Sequence, residues 1–188
     1  MNRIIEWDQD VFVWLNTLGS PDFDGFWLFI TNPRHWLLLY FLTLLVFIYY
    51  LGWKKALFSF IFIALFLGFC NETTDFFKAY FHRLRPSQDP LLEGKIRDLL
   101  HPHNYSFISG HASNSTLYVW FTVFLLKKYT RWVYLLVIWW LLFMYSRIYV
   151  GVHYPLDILA GILWGLALLQ PAKYLYLKLE EKFFGLHA

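Results

Sequence analysis

The stretch "HWLLLYFLTLLVFIYYL", residues 35–51, decides the class of fold. It contains no Asp, Glu, Lys or Arg. An α-helix of this length, rising about 1.5 Å per residue, crosses most of a hydrocarbon core about 30 Å thick. The whole chain of 188 residues is also too apolar for a soluble domain, since 59% of it is hydrophobic and only 15% is charged. A soluble helical core is the alternative, but the sequence favours an integral membrane protein.

Further apolar runs continue this pattern toward the C-terminus. The runs that can cross a bilayer are residues 56–77, 113–126, 132–145 and 155–169. The last three are short and would cross with little tilt or extend into the interface. Residues 23–31, "FDGFWLFIT", are too short to cross and leave open a sixth, short or re-entrant segment. We therefore expect an all-α integral membrane protein, a compact bundle of five to six transmembrane helices.

Residues 1–20 predict a helix that lies in the membrane interface. Apolar residues recur at helical spacing, and polar residues lie opposite them. The apolar set is Ile4, Trp7, Val11, Trp14, Leu15 and Leu18, and the polar set is Glu6, Asp10 and Asn16. Gly19, Ser20 and Pro21 are expected to end this helix.

The chain is expected to form one domain, because no linker, low-complexity tract or internal repeat interrupts it. It divides into an N-terminal part with interfacial and short helices, a transmembrane core with two polar loops, and a cytoplasmic tail. These parts are residues 1–34, residues 35–170 with the loops 78–112 and 146–157, and residues 171–188. No cleavable signal peptide is evident, and the single cysteine, Cys70, allows no internal disulfide.

The distribution of basic residues predicts the orientation. With five spans, the turns at 52–55 and 127–131 share one face with the tail, and that face carries many lysines in short segments. By the positive-inside rule this face is cytoplasmic, so the long loop 78–112 lies on the outer face. The net charge of +3 is spread over several loops and indicates no nucleic-acid-binding surface.

Three polar clusters lie at span ends on the outer face. They are "KAYFHRLRP" at 78–86, "ISGH" at 108–111 and "SRIYVGVHYPLD" at 146–157. Two crossings separate the second and third clusters, so the chain returns to its starting side and all three can meet in one pocket. Ionisable residues that converge at span ends are costly to place there, which makes them candidates for function.

The charges in these clusters suit a phosphate group. Lys78, Arg85 and Arg147 supply three cations, and each planar guanidinium group matches two phosphate oxygens. Ser109 and the N–H of Gly110, at the start of the third span, add hydrogen bonds where the helix dipole favours an anion. Ser109 and Gly110 alone could equally be an ordinary helix cap.

Two histidines remain for a reaction on such a phosphate. His153 and Asp157 are four residues apart, so a helix that begins near His153 places them on one face, where the carboxylate fixes the imidazole tautomer. His111 is then free to act as general acid toward the leaving oxygen. Each charged residue alone, including Lys78 and Arg83, could be an anchor in the lipid head groups. Their combination on one face favours a functional site.

At these residues the sequence resembles the type 2 phosphatidic acid phosphatase family, whose superfamily includes soluble acid phosphatases and vanadium haloperoxidases. The three family motifs are Lys, six residues, Arg-Pro; then Ser-Gly-His; then Ser-Arg, five residues, His, three residues, Asp. They are met by Lys78, Arg85 and Pro86, by Ser109, Gly110 and His111, and by Ser146, Arg147, His153 and Asp157. Ile108 departs from the pattern, because the family usually has proline before Ser-Gly-His.

The resemblance implies a mechanism for these residues. His153 attacks phosphorus to give a phosphohistidine and is oriented by Asp157, while His111 protonates the leaving group and then activates water. The phosphoryl oxygens are held by Lys78, Arg85, Ser109, Gly110 and Arg147. The family needs no metal or other cofactor, and no carboxylate cluster for magnesium accompanies the motifs. His101 and His103 leave open a metal pair in the adjoining loop.

The resemblance and the membrane setting together imply a lipid phosphate as substrate. Its tail can stay in the bilayer while its phosphate enters the pocket. Undecaprenyl pyrophosphate, at the outer face of a bacterial inner membrane, is the expected substrate; phosphatidylglycerol phosphate, phosphatidic acid and lipid A are alternatives. A lipid phosphotransferase with the same site, a vanadate-dependent haloperoxidase and a non-enzymatic membrane protein are the competing classes. Gly161 and Gly165 form a GxxxG pair that packs helices within or between subunits, and the oligomeric state stays open.

Overall fold

The computed structural model describes residues 2–185, which form seven α-helices and include no β-strand. Short 3₁₀ turns precede α3 and α6, at Pro33–Trp36 and Arg131–Tyr134. The helices are α1 (Asn2–Thr17), α2 (Asp24–Thr31), α3 (Leu37–Leu51), α4 (Trp53–Phe81), α5 (Gly110–Leu126), α6 (Leu135–Tyr149) and α7 (Pro155–Phe184). The all-α class expected from the sequence is confirmed.

Four segments are long and apolar enough to cross a bilayer, and they contain α3, α4, α6 and α7. The four are Pro33–Leu51, Trp53–Gln88, Arg131–Tyr149 and Pro155–Phe184. α5, with 17 residues, is about 25 Å long and lies among them, with Leu117, Val119 and Phe121 fully buried. α2 has 8 residues, which is about 12 Å and too short to cross. The bundle is therefore multi-pass, with α5 at its centre.

α7 packs on α5 through two glycines that lie about one helical turn apart. A Cβ atom on Gly161 would lie 2.6 Å from the carbonyl oxygen of Ser109, and one on Gly165 would lie 2.6 Å from the carbonyl oxygen of Ser113. Both distances are shorter than van der Waals contact, so the backbones approach this closely only because no side chain intervenes. The GxxxG pair therefore joins two helices of the same chain.

Substitution of Gly165 by alanine is expected to destabilise the fold by about 1–3 kcal/mol, because the added methyl group forces α5 and α7 apart. Gly68 is the matched control, since it lies inside α4 and a Cβ atom there meets nothing within 4 Å. Gly68→Ala should be neutral or slightly stabilising, because alanine has the higher helix propensity. Thermal unfolding of both variants in detergent measures the difference, and equal midpoints would contradict the close packing.

α1 presents apolar side chains outward, as an interfacial helix requires. Three large apolar side chains of α1 and one directly after it are between 58% and 64% exposed, namely Ile4, Trp7, Trp14 and Leu18. On the opposite side, Asp8, Phe12 and Asn16 are fully buried. Asn16 thus lies opposite the exposed apolar set, as the sequence indicated, and is buried against the bundle. Its amide group donates hydrogen bonds to the carbonyl oxygens of Ile148 and Tyr149, at 2.9 and 3.0 Å, and so joins α1 to the end of α6.

α7 is longer than the fifth span expected from the sequence, which ended near residue 169 and left a tail at 171–188. The helix instead continues through Pro171. Its second half packs on α4, where the hydroxyl groups of Tyr176 and Ser59 are 2.8 Å apart. This packing offsets the one backbone hydrogen bond that a proline removes from a helix interior. The expected tail is thus helical for most of its length, and residues 186–188 lie outside the described part.

Candidate active site

The three polar clusters meet at one end of the bundle. They border a cavity of about 470 Å³ between the end of α4, the start of α5, the end of α6 and the loop that leads into α7. Six of the eight predicted site residues line this cavity, namely Lys78, Arg85, Gly110, His111, Arg147 and His153. The other two, Asp157 and Ser109, are fully buried behind it.

Arg85 is fixed in the cavity wall by hydrogen bonds to the two loops beside it. Its Nε donates to the carbonyl oxygen of Asn104 at 2.8 Å, and its Nη2 donates to the side-chain oxygen of the same residue at 2.7 Å. Its Nη1 donates to the carbonyl oxygen of Val152 at 2.8 Å. The guanidinium group is therefore held in one orientation by the protein itself, which favours binding of an oxyanion in a defined pose. The sequence motifs do not include Asn104.

Arg147 and Lys78 face the same cavity from α6 and α4. Arg147 Nη1 donates to the hydroxyl of Thr31 at 2.5 Å, and its buried Nε has no hydrogen-bond partner within the described residues. Lys78 Nζ pairs with Asp75 Oδ1 at 2.6 Å. Three cationic side chains thus border one cavity, and a buried N–H group of Arg147 is free of protein acceptors there. Buried donors of this kind are stabilised by an anion that accepts from them.

His153 occupies the loop before α7 and is 1% exposed. Its Nε2 lies 3.2 Å from Arg85 Nη1, and its Nδ1 lies 3.5 Å from Asp157 Oδ2 on the other side of the ring. Burial, together with the positive charges of Arg85 and Arg147, holds the pKa of His153 well below its ordinary value. The ring is therefore neutral at neutral pH. With the proton on Nδ1, Nε2 accepts a hydrogen bond from Arg85 Nη1 on the side of the ring where the cavity lies.

Asp157 lies in the first turn of α7 and holds the start of that helix. Its Oδ2 accepts a hydrogen bond from the N–H of Tyr154 at 2.9 Å, as a helix-capping carboxylate does. Its Oδ1 accepts from Arg83 Nη1 at 2.7 Å. The helix begins at Pro155 rather than near His153, so His153 and Asp157 meet across the helix cap and not on one helical face. Arg83, expected at most to anchor in the head groups, is thus part of the site's supporting structure.

His111 lies in the first turn of α5 and borders two cavities. One is the cavity with the three cations, and the other, of about 660 Å³, is bordered by α2 and the turn that follows it. Arg147 also borders both cavities. The imidazole ring packs on Phe143, with the ring centroids 5.5 Å apart. Gly110 precedes it, and a Cβ atom there would lie 3.2 Å from Thr74 Oγ1, so glycine lets α4 approach the start of α5 closely.

The sequence predicted that Ser109 contacts the phosphate, but Ser109 does not line the cavity. Its hydroxyl accepts a hydrogen bond from the N–H of Ala112 at 3.4 Å and caps α5. Its own N–H donates to the carbonyl oxygen of Asp157 at 3.1 Å, which joins the start of α5 to the start of α7. The free N–H groups of a helix start attract a preceding serine hydroxyl strongly, and this competes with a ligand contact. Gly110 is the member of the pair that lines the cavity.

Ile108 occupies the position where the family usually has proline. It is 3% exposed, and the peptide bond between Phe107 and Ile108 is cis. Phe107 packs edge-on against Phe81 at the end of α4, with ring centroids 4.8 Å apart. An apolar side chain thus fills this buried position, and α5 still begins at Gly110.

Metal ligands are sparse in the part of the chain that the structure describes. Among residues 2–185, no three His, Cys, Asp or Glu side chains are placed to hold a metal ion. The side chain of His101 is 63% exposed, and its Nδ1 lies 3.9 Å from Asp98 Oδ2. A loop histidine with one carboxylate provides fewer ligands than a protein metal site normally has.

These features define a multi-pass helical membrane protein with a cationic, histidine-containing cavity at one end. Residues 54–181, which include α5, α6 and most of α4 and α7, match the family model of the PAP2 superfamily. The match covers more than half of the chain, and the chain belongs to the PAP2 superfamily. The resemblance of the three motifs to this family is thereby confirmed.

Named relatives and a solved structure agree with this assignment. A lipid A 4'-phosphatase of Porphyromonas gingivalis is 32% identical over 190 residues, covering 98% of this chain and 79% of the relative. Another, of Bacteroides thetaiotaomicron, is 31% identical over 166 residues, covering 84% and 72%. An undecaprenyl-diphosphatase of Sulfolobus acidocaldarius is 45% identical over 65 residues, covering 34% and 30%. The crystal structure of a transmembrane PAP2-type phosphatidylglycerolphosphate phosphatase from Bacillus subtilis shares the fold, with 23% identity, a TM-score of 0.72 and coverage of 100% and 90%.

Proposed function

We propose that this chain is a membrane lipid phosphatase that transfers the phosphoryl group of a lipid phosphate first to His153 and then to water. The position of the His153 ring carries the proposal. It lines the cavity, with its Nε2 beside Arg85 and its Nδ1 toward Asp157. A neutral imidazole whose Nε2 faces the cavity and accepts there from Arg85 Nη1 suits attack on a phosphoryl group, once the phosphoryl oxygens take over that Arg85 N–H. Membership of the PAP2 superfamily supports the same reaction.

Each group has a defined part in this reaction. The Nε2 of His153 bonds to phosphorus as the bond from phosphorus to the lipid oxygen breaks, and Asp157 stabilises the positive ring that results. His111 donates a proton to the leaving oxygen, and it then accepts a proton from the water that hydrolyses the phosphohistidine. The phosphoryl oxygens are held by Lys78, Arg85, Arg147 and the N–H of Gly110. None of these steps requires a metal ion.

The shape of the cavity supports a lipid as substrate. Beyond its cationic end, the cavity walls include Tyr40 of α3, Leu67 of α4 and Tyr118 of α5. Leu67 precedes Lys78 by about three helical turns, or about 16 Å, along a helix that can span the bilayer. A lipid whose phosphate lies among the cations can therefore keep its apolar part along these walls.

We propose a lipid A phosphate as the first candidate substrate. The two relatives with that name align with 98% and 84% of this chain, whereas the undecaprenyl-diphosphatase aligns with 34% of it. Undecaprenyl pyrophosphate, which the sequence favoured, is the second candidate and rests on that shorter match. Phosphatidylglycerol phosphate and phosphatidic acid follow, and transfer to a second lipid instead of water is the alternative reaction.

We also propose that the site faces the periplasm from a bacterial inner membrane. Lys55, Lys128 and Lys178 gather at the opposite end of the bundle, around one surface cavity. An excess of lysine in short segments is typical of the cytoplasmic side of membrane proteins. The cationic cavity at the other end would then open on the outer side.

A panel of lipid phosphates, assayed side by side, tests this function. With a metal chelator present, purified protein in detergent should release phosphate fastest from lipid A, and should need no second lipid as acceptor. Intact spheroplasts should hydrolyse the same added substrates without lysis if the site faces outward. Absence of phosphate release from every substrate in chelator would contradict the mechanism, and faster release from undecaprenyl pyrophosphate would reverse the order of substrates.

A further inference from the structure

Arg83 is the residue of the 78–86 cluster that connects the site to the N-terminal helix. Its Nη1 donates to Asp157 Oδ1 at 2.7 Å, and its Nη2 donates to Asp8 Oδ2 at 2.6 Å. The guanidinium group also lies over the ring of Tyr154, 4.1 Å from the centroid. Arg83 does not line the cavity with the three cations, so it has no direct path to a bound phosphate. Its two carboxylate contacts point instead to a role behind the site.

Asp8 is the second carboxylate in this arrangement, and it comes from α1. It is fully buried, although α1 otherwise exposes large apolar side chains. Its Oδ1 accepts a hydrogen bond from the N–H of Leu156 at 2.9 Å, in the first turn of α7. A buried carboxylate is costly unless charged and hydrogen-bonding partners surround it. Asp8 therefore binds both Arg83 and the start of the helix that carries Asp157.

We propose that Asp8 and Arg83 are positioning residues of this active site, which hold Asp157 so that the His153 ring presents Nε2 to the substrate. The inference rests on the proposed function, since it concerns the same nucleophile. It extends the site to α1, which lies outside the residues 54–181 that match the family.

Asp157 shows why such support matters for the His153 ring. One of its oxygens accepts from Arg83 and the other from the N–H of Tyr154, and these two bonds hold Oδ2 at 3.5 Å from His153 Nδ1, which has no hydrogen-bond partner within the described residues. Misplacement of a reacting group by a small distance is enough to slow catalysis strongly. Loss of Asp8 would leave Arg83 with a single carboxylate partner and would free the pair to shift.

The charges of Asp8 and Arg83 predict opposite shifts in the pKa of His153 when they are removed, which general damage to the fold would not produce. The charged and titratable groups facing His153 are Lys78 from α4, Arg85 from the loop that follows it, His111 from α5, Arg147 from α6 and Asp157 from α7. Behind them lie Arg83 and Asp8. Removal of the Asp8 charge takes a negative charge away and should lower the pKa of His153 further. Removal of the Arg83 charge does the opposite and should raise it.

Kinetics of Asp8→Asn with a matched control test the inference. Asp8→Asn should lower kcat by between about 10-fold and 100-fold and leave KM within about twofold, because the cations that bind phosphate are untouched. Asp10→Asn removes the same charge from an exposed position on the same helix and should change neither value. The acid limb of the kcat/KM profile should move to lower pH in Asp8→Asn and to higher pH in Arg83→Gln.

A double mutant separates positioning from other effects. If Asp8 acts through Asp157, then Asp8→Asn combined with Asp157→Asn should be no slower than Asp157→Asn alone. If Asp8→Asn unfolds in detergent, Arg83→Lys should show the same fall in kcat, because a lysine ammonium lacks the planar pair of N–H groups with which Arg83 donates to the two carboxylates. If the wild-type protein is active, two results would overturn this inference and leave the proposed function intact. One is equal kinetics in Asp8→Asn and Asp10→Asn, and the other is additive losses in the double mutant. Inactive wild-type protein would overturn the proposed function.

Discussion

Replacement of His153 by alanine is expected to abolish phosphate release and to lower kcat by about 10⁴-fold or more. The variant loses the ring nitrogen that lies 3.2 Å from Arg85 Nη1 and that we propose as the nucleophile. Binding should persist, because Lys78, Arg85 and Arg147 remain in place. Phosphate release from a lipid phosphate in detergent, measured over a range of substrate concentrations, separates these two effects.

His101→Ala is the matched control for this prediction, since the His101 side chain is 63% exposed and lies outside the residues that line the cavity. It should keep the activity of the wild-type protein. Rapid mixing of the wild-type protein with labelled substrate should in addition yield a labelled protein that His153→Ala does not form. Activity of His153→Ala within about 100-fold of wild type would be incompatible with a phosphohistidine mechanism.

Replacement of His111 by alanine is expected to slow turnover by an amount that depends on the leaving group. With a lipid phosphomonoester, the departing alkoxide needs a proton, and the loss should be on the order of 10²–10⁴-fold. With a pyrophosphate or aryl phosphate, the leaving group departs without help, so phosphorylation of His153 should stay fast. Hydrolysis of the phosphohistidine still lacks its base, and the phosphorylated protein should accumulate.

A comparison of the first turnover with later turnovers measures this difference. His111→Ala should release about one equivalent of an aryl leaving group quickly and then continue slowly. His35→Ala is a suitable control, because His35 is exposed and borders only the second cavity. The same loss for alkyl and aryl substrates, with no initial burst, would show that His111 does not act as the acid and base.

The sequence predicted the bundle well because apolar runs and span-end charges are strong signals in a membrane. The return of the chain after two crossings predicted that Arg85, His111 and His153 meet, and they border one cavity. Local competition between hydrogen-bonding partners is harder to foresee. Ser109 could serve a ligand or a helix start, and it caps α5. A proline normally ends or kinks a helix, yet α7 continues through Pro171, because the turns that follow pack on α4.

Other features of the site depend on contacts between residues far apart in sequence. Asn104 holds Arg85 and Thr31 holds Arg147, but neither belongs to a charge pattern that a single sequence reveals. The sequence does contain a weak indication that Asp8 is buried with partners. Asp8 and Asn16 lie about two turns apart on the side of α1 that also carries the buried Phe12, and a buried apolar side is a costly place for polar groups unless partners meet them. The identity of the partners required the folded chain.

The hydrogen bond between the N–H of Ser109 and the carbonyl oxygen of Asp157 has a consequence for how this protein can change over evolutionary time. It ties the helix that carries His111 to the helix behind His153 through main-chain atoms, which side-chain substitutions do not remove. Two of the walls that would contact a lipid, Tyr40 on α3 and Leu67 on α4, come from other helices. Substitutions on these walls can therefore change the contacts with a lipid without altering the main-chain bond between the starts of α5 and α7.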